Sequence, residues 1–487
     1  MTEMWERFSF YGLRPLLVLF MAAALADGGF GFDRPAASAI VGIYAASVYL
    51  ASLPGGWIAD RWLGLRRAIL IGAMLITSGH LAIGISGMAG AGAGKIFFFL
   101  GLVLIVLGTG LLKPNISAIV GDLYPGGGAR RDAGFSIFYM GINTGAFIGQ
   151  LVTGYLGERV SWHWGFGAAG VGMLCGLLMF WLKAKDTLGT LGQDIVRDPN
   201  PAVQAKREGA VRNYTFGGLA LLALVFVLAS TGAVSLDPQA IGGVMTFVLV
   251  GIAVAFFGFL FAFGGLTRDE KRRSGVIFVL FVFAAIFWAA FEQAPTSLQL
   301  FANDFTDRNL FGFEIPATWF QSVNSAFIIL FSPLFAALWI LLAKRNIDLS
   351  SPAKFAIGLA LAGVGFLVMV FAANRVVASG GTVLVSPWWL IISYLFQTLG
   401  ELFLSPVGLS SMTKLAPRRY VGQMMGIWFL ATSVGNLVAG LVGGHVDPTK
   451  LDQTPLVFSG TAIALFGATV ILALMIVPIR RLMATAK

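Results

Sequence analysis

The sequence predicts an all-α membrane protein of fourteen transmembrane helices, arranged as two six-helix bundles with an inserted helical pair. Three observations carry this. Of the 487 residues, 57% are hydrophobic and 11% charged, with 62 glycines, far from the roughly 25% charged of soluble domains. Apolar runs of about 20 residues, the length that crosses a bilayer as a helix, recur fourteen times between polar or Gly/Pro breaks. The polar stretches at 183–213 and 267–274 divide those runs into six, two and six.

The expected spans lie near 4–26, 38–59, 68–88, 96–121, 133–157 and 164–183, then 215–235 and 241–265. The last six lie near 275–302, 316–343, 354–377, 388–413, 422–444 and 456–479. This gives an N-terminal bundle over 1–183, a cytoplasmic linker with two extra helices over 184–274, and a C-terminal bundle over 275–487. The first run carries Glu3, Glu6, Arg7 and Arg14 and lacks a small-residue cleavage site, so it reads as a retained helix rather than a signal peptide. Its polar motif begins almost at residue 1, and a few cytoplasmic residues are expected before it in the full-length protein.

Orientation follows from lysine and arginine. With a cytoplasmic N-terminus the inner loops and tail carry 24 of the 33, including Arg197 and Lys487, and the outer loops carry six: Arg34, Lys95, Arg159, Arg308, Arg375 and Lys450. Such a bias places both termini inside. The net charge of +10 therefore belongs to topology, and a nucleic-acid partner is not expected, because the basic residues are spread over short loops instead of gathered on one soluble face. The lone Cys175 cannot form an internal disulfide.

Three cations remain inside spans, Arg7, Arg14 and Lys113, together with the carboxylates Glu292 and Glu401. Ionisable groups at membrane depth are costly, face a bundle interior and mark a substrate or ion path. In the first span Glu3 and Arg7 are i,i+4, and Arg7, Tyr11 and Arg14 continue one helix face with Glu6 beside it. In the fourth, Lys113 precedes Pro114, an ammonium next to a proline that frees a backbone carbonyl and suits a clamp for a carboxylate. The fifth contains FSIFYMGINTGAFIG with Asn143 as its one amide. FWAAFEQ supplies Trp288 and Glu292, a buried carboxylate that either pairs with a cation or carries a proton. Asn324, Glu401, Ser405 and Trp428 follow on later spans. The first half thus brings mostly cations and the second mostly carboxylates, a distribution that suits a zwitterion.

Two six-helix halves are the layout of a transporter whose halves rock around a central site. Between the second and third spans, Gly56, Asp60, Arg61, Gly64, Arg66 and Arg67 have the spacing GxxxDRxxGxRR. This short inner loop resembles the conformational signature loop of the major facilitator superfamily.

Taken together, Glu-x-x-Glu-Arg-Phe with Tyr11-Gly12, FSIFYMGINTGAFIG, FWAAFEQ and GELFLSPVG closely resemble the proton-dependent oligopeptide transporters of that superfamily, and the extra pair matches their bacterial members. The resemblance implies a major facilitator fold in a bacterial inner membrane and import of di- and tripeptides with protons by alternating access. It implies no cofactor beyond the proton, no metal, the lipid bilayer as environment and function as a monomer. By position it assigns Arg7, Tyr11 and Lys113 to the peptide carboxylate, Asn143, Asn324 and Glu401 to the amino group, and Tyr49, Trp288, Ser405 and Trp428 to side-chain pockets. Glu3, Glu6 and Arg7 take the proton-coupling motif, and Arg14 with Glu292 the pair linking the halves.

The chain departs from the pattern at three places. Phe10 replaces the first of a Tyr-Tyr pair, Ser325 stands where proline is common, and Gly42 stands where mammalian relatives place a proton-binding histidine. His80, His163 and His445 are expected to be structural. The alternative cargo is nitrate or another small anion or conjugate, against which Glu401 opposite Lys113 argues. An embedded enzyme is not expected, since there is no HExxH and no span holding a histidine with an acid. A non-transporting sensor on the same fold is the remaining rival.

Overall fold

The computed structural model describes residues 1–124, 128–193, 195, 199–347 and 349–484. Arg197 and Lys487, counted above as inner-face cations, and the linker acids Asp194 and Asp198 lie outside the described residues. The chain runs α1 (Thr2–Ala22), α2 (Arg34–Ile58), α3 (Leu65–Ser86), α4 (Ala91–Asp122), α5 (Gly128–Arg159) and α6 (Trp162–Leu188). Next come α7 (Pro201–Ser230) and α8 (Pro238–Phe263). They are followed by α9 (Arg268–Phe291), α10 (Gln299–Asp304), α11 (Trp319–Lys344), α12 (Ser351–Ala378), α13 (Trp388–Leu415), α14 (Val421–Gly443) and α15 (Gln453–Ala484). Among the described residues, 13 helical segments are long and apolar enough to cross a membrane. The fourteenth expected span is α1, whose 21 residues reach about 30 Å at 1.5 Å per residue but carry Glu6, Arg7 and Arg14 through the middle of the run.

Four boundaries differ from expectation, each for a local reason. The loop expected at 56–67 is almost wholly helical: α2 runs on into a π-helical turn, Ala59–Leu63, and Gly64 at φ +76° starts α3. The polar stretch 183–213 is helical from Pro201, because Asn200 accepts the Ala202 amide proton at 3.0 Å and proline fits the first helical position. The basic stretch 267–274 is the first turn of α9, closed by a capping box in which the Glu270 amide donates to Thr267 Oγ1 (3.3 Å) and the Thr267 amide to Glu270 (2.8 Å). The span expected at 275–302 breaks after Phe291 into a π-helical turn, Ala294–Leu298, before α10. Pro295 causes the break, since it lacks a donor and its ring crowds the carbonyl four residues back. A short hairpin pairs Asn309–Leu310 with Phe313–Glu314, turned by Phe311 and Gly312 at positive φ.

In lipid, helices associate by close packing because the surrounding tails are as apolar as the side chains. Glycines supply the close approach. A Cβ on Gly72 would lie 2.6 Å from the carbonyl oxygen of Gly108, and one on Gly79 would lie 2.6 Å from that of Gly101, so α3 and α4 meet backbone to backbone over two turns. The same seven-residue spacing recurs between α12 and α13, where a Cβ on Gly358 or Gly365 would lie 2.8 Å from the carbonyl oxygens of Gly400 or Ser393.

The described chain forms two compact units, Met1–Leu16 with Ser47–Asp237, and Leu17–Ala46 with Pro238–Lys487. The boundary passes through the middle of α1 and α2, and it places α7 in the first unit and α8 in the second. Inside the second unit the N-terminal part of α2 lies against α14, where a Cβ on Gly42 would come within 2.7 Å of the Asn436 carbonyl oxygen. A histidine at this position has no room. Arg34, at the start of α2, pairs with Asp304 and donates to the Val446 carbonyl at 3.0 Å.

The α3–α4 seam gives a direct test. Gly79→Leu should destabilise the protein by roughly 1–3 kcal/mol, the usual cost of overpacking, and lower its thermal midpoint in detergent. Gly84→Leu, on the same helix with nothing within 4 Å of an added Cβ, should leave the midpoint near wild type. Equal shifts would show that the glycine contact does not hold the seam.

Candidate functional site

In the first unit the site begins with the way α5 seats α1. A Cβ on Gly145 would lie 2.0 Å from the Met4 carbonyl oxygen and one on Gly149 2.4 Å from that of Phe8, while Thr153 Oγ1 donates to the Gly12 carbonyl at 2.8 Å. The small residues of the 135–149 block therefore let one face of α1 press backbone against backbone. Glu3, Glu6 and Arg7 are nonetheless buried, at 4%, 0% and 2% exposure.

Arg7 Nε sits 3.2 Å from Glu3 Oε1 and is also paired with Glu6 Oε2. Two carboxylates and one guanidinium leave a net negative charge when all are ionised. Glu3 Oε2, Glu6 Oε1 and Arg7 Nη2 are buried without a hydrogen-bond partner among the described residues.

Phe10 lies beside both guanidiniums of this helix, its ring centroid 5.0 Å from Arg7 Cζ and 5.9 Å from Arg14 Cζ. Replacing a tyrosine here keeps the cation–π contact, about 0.5–2 kcal/mol in general, while removing a hydroxyl. Tyr11 lies 5.9 Å from Arg7 Cζ, with its ring edge-on to that of Phe10 at 5.2 Å between centroids. Lys113 Nζ stands 4.0 Å over the ring of Tyr49. Pro114 does not interrupt α4: the carbonyl that it frees, at Gly110, is packed against Gly55, where an added Cβ would lie 2.0 Å away. Asn143 is buried and donates to the Tyr139 carbonyl one turn back, at 3.0 Å.

In the second unit α11 and α13 bring Asn324 and Glu401 together. Asn324 Nδ2 lies 3.3 Å from Glu401 Oε2 and 2.9 Å from Thr398 Oγ1. Glu292 is buried at the C-terminus of α9, where Pro295 opens the helix. Gln293 bridges that break: its Nε2 donates to the Ala289 carbonyl (3.2 Å) and to Thr461 (3.0 Å), and its Oε1 accepts from Ser297 (2.9 Å). Trp288 is buried against Gly435, and its Nε1 has no partner among the described residues. Trp428 is buried too; a Cβ on Gly408 would lie 2.0 Å from its ring, so the glycine of GELFLSPVG makes the space for the indole. Ser405 is half-buried on the same helix.

The signature residues spread over three elements. Gly56 ends near Pro114, Asp60 and Arg61 are exposed on the π-helical turn, and Arg61 Cζ lies 5.9 Å from the ring of Trp57. Arg66 engages the segment after α6: its amide donates to the Gly192 carbonyl (2.9 Å) and its Nη1 to that of Gly189 (2.7 Å).

The structure thus gathers Glu3, Glu6, Arg7, Tyr11, Tyr49 and Lys113 in the first unit, and Asn324 with Glu401 in the second. Arg14 belongs to the first and Glu292 to the second. Sequence reasoning missed Thr398, although its place three residues before Glu401 on α13 was a legible helical signal. It also missed the seating role of Gly145 and Gly149, which only the position of α1 reveals. Among the described residues no group of three or more His, Cys, Asp or Glu side chains could hold a metal ion.

Known proteins match nearly the whole chain. The family model of the POT family matches residues 66–186 and 248–456. The peptide transporter YePEPT of Yersinia enterocolitica is 51% identical over 483 residues, covering 99% of this chain and 94% of that protein. A di-/tripeptide transporter of Lactococcus lactis subsp. cremoris is 36% identical over 489 residues, covering 98% and 92%. A crystal structure of a mutant peptide transporter POT in complex with alafosfalin superposes with a TM-score of 0.87 at 39% identity, covering 99% of this chain and 94% of that one. The protein is a multi-pass membrane protein with the major facilitator fold, and it belongs to the POT family of transporters.

Proposed function

We propose that this protein is a proton-coupled symporter that imports di- and tripeptides by alternating access. It acts as a monomer in a bacterial cytoplasmic membrane, with both termini inside. The working halves are the bundles 1–183 and 275–487, joined by the 184–274 segment with its two extra helices. The proton is the coupling ion, and no cofactor takes part.

One observation carries the reading: the first unit holds the intramembrane cations Arg7 and Lys113, and the second holds Glu401 with Asn324. A free peptide carries a carboxylate at one end and an ammonium at the other, so these groups can receive its two ends. The printed names of the Yersinia and Lactococcus relatives, a peptide transporter and a di-/tripeptide transporter, support this cargo. The buried trio of Glu3, Glu6 and Arg7 is the site proposed for proton coupling, with Arg14 and Glu292 linking the halves. Tyr11 and Asn143 assist at the two ends of the peptide, and Tyr49, Trp288, Ser405 and Trp428 line its side-chain pockets. The segment bearing Gly56, Asp60, Arg61, Gly64 and Arg66 is the proposed conformational loop. Energetics allow accumulation: a proton crossing about 100 mV contributes roughly 2.3 kcal/mol, and each pH unit about 1.4 more, against about 1.4 for each tenfold of substrate gradient.

The cargo is tested by competition in proteoliposomes. A dipeptide amide and an N-acetyl dipeptide should each lose one clamp and compete at least 10-fold more weakly than the free dipeptide, since truncating one partner of a desolvated charge pair costs about 2–5 kcal/mol. Lys113→Ala should erase most of the preference for a free C-terminus and Glu401→Ala most of that for a free N-terminus. Blocked peptides that compete as well as the free one would move the small-anion reading to first place.

Coupling is tested separately. Glu6→Gln should abolish proton-driven accumulation and leave counterflow exchange partly intact. A Gln variant that concentrates peptide like wild type would remove Glu6 from the coupling role.

A further inference from the structure

The Asn324 amide nitrogen of the Asn324–Glu401 pair has a second acceptor, the hydroxyl of a third residue. Thr398 is fully buried on α13, three residues before Glu401, and its Oγ1 donates to the Tyr394 carbonyl at 2.7 Å. A hydroxyl has one hydrogen. With that hydrogen committed to the backbone, Thr398 offers only lone pairs to its neighbours, and the group 2.9 Å away on Asn324 must be the amide nitrogen. The same nitrogen reaches Glu401 Oε2 at 3.3 Å, so both of its hydrogens are engaged. Asn324 Oδ1 and Glu401 Oε1 are left without a hydrogen bond among the described residues, and both are acceptors.

We infer that Thr398 is a positioning residue for substrate selection: by relaying the polarity of the Tyr394 carbonyl through its hydroxyl, it fixes the Asn324 amide so that the site presents acceptors only. An acceptor-only site fits a substrate ammonium, which has three donors and no acceptor, and it disfavours an acylated amino end, which brings a carbonyl oxygen. Without the hydroxyl the Asn324 amide keeps its bond to Glu401 but is left with one N–H that has no acceptor, a donor that disfavours an ammonium and welcomes that carbonyl. The inference rests on the clamp reading proposed above and adds the element that gives the clamp its sign.

The test is the ratio of half-inhibitory concentrations of an N-acetyl dipeptide and the free dipeptide, in proteoliposomes holding equal amounts of protein. Thr398→Val keeps the shape and loses the hydroxyl; Thr398→Ala is a second apolar variant should the first fail to fold; Thr398→Ser restores the hydroxyl. The ratio should fall by about 5-fold or more in Val and Ala, the scale of losing one orienting hydrogen bond, and return to wild type in Ser. The corresponding ratio for the dipeptide amide should not move in any of them, which a general loss of stability would not explain. Wild-type protein that distinguishes the acetylated peptide while the Val and Ala variants do so equally overturns the role of Thr398 alone. Wild-type protein that does not distinguish it overturns the clamp and this inference together.

Discussion

Arg7 held between Glu3 and Glu6 is the interaction on which the rest of the first unit depends. A guanidinium in a medium of low dielectric costs several kcal/mol unless opposite charge and hydrogen bonds surround it, and here both carboxylates come from the same helix. One turn of α1 places Glu3 beneath Arg7, and Glu6 adjoins it. That turn can face inward only if the opposite side of the helix is supported without bulk. Gly145 and Gly149 provide the support, and the Thr153 hydroxyl ties the next turn through the Gly12 carbonyl. The charged stripe and the glycine seat are two sides of one solution.

The same economy of side chains governs the scaffold. Helix association in lipid relies on contact, and backbone approaches on the scale of Gly72–Gly108 and Gly79–Gly101 give dense, directional seams. The same seven-residue spacing of close approaches holds α12 against α13. Where the scaffold is interrupted, polar groups close the gap. Pro295 opens α9 next to Glu292, and Gln293 satisfies the exposed groups by bonding to Ala289, Ser297 and Thr461 at once. A carboxylate at a helix break next to a fully engaged amide has a defined position with less helical constraint behind it.

The two units treat their buried charges differently. In the first, ions compensate ions, with Arg7 paired to both Glu3 and Glu6. In the second, Glu401 is approached by neutral groups, Asn324 and through it Thr398, whose hydrogens are ordered by the Tyr394 carbonyl. Neutral donors orient a carboxylate without cancelling its charge, so the attraction for a cationic group is kept.

The sequence by itself determined the membrane setting, the six-two-six order of helices, and the charged positions on α1, α4, α9 and α13, because hydropathy and helical spacing are local properties. Glu3, Arg7 and Tyr11 share a face at any helix of 3.6 residues per turn, whatever surrounds it. Tertiary structure alone decided which carbonyl each glycine meets, where Trp428 finds room at Gly408, and that residues 56–67 continue as helix instead of looping. It also decided that Arg66 reaches the carbonyls of Gly189 and Gly192, more than 120 residues along the chain, and that Thr398 turns the amide of Asn324 across from another helix. These depend on the approach of distant segments to within a hydrogen bond, and no periodicity along a single chain encodes a distance between two helices.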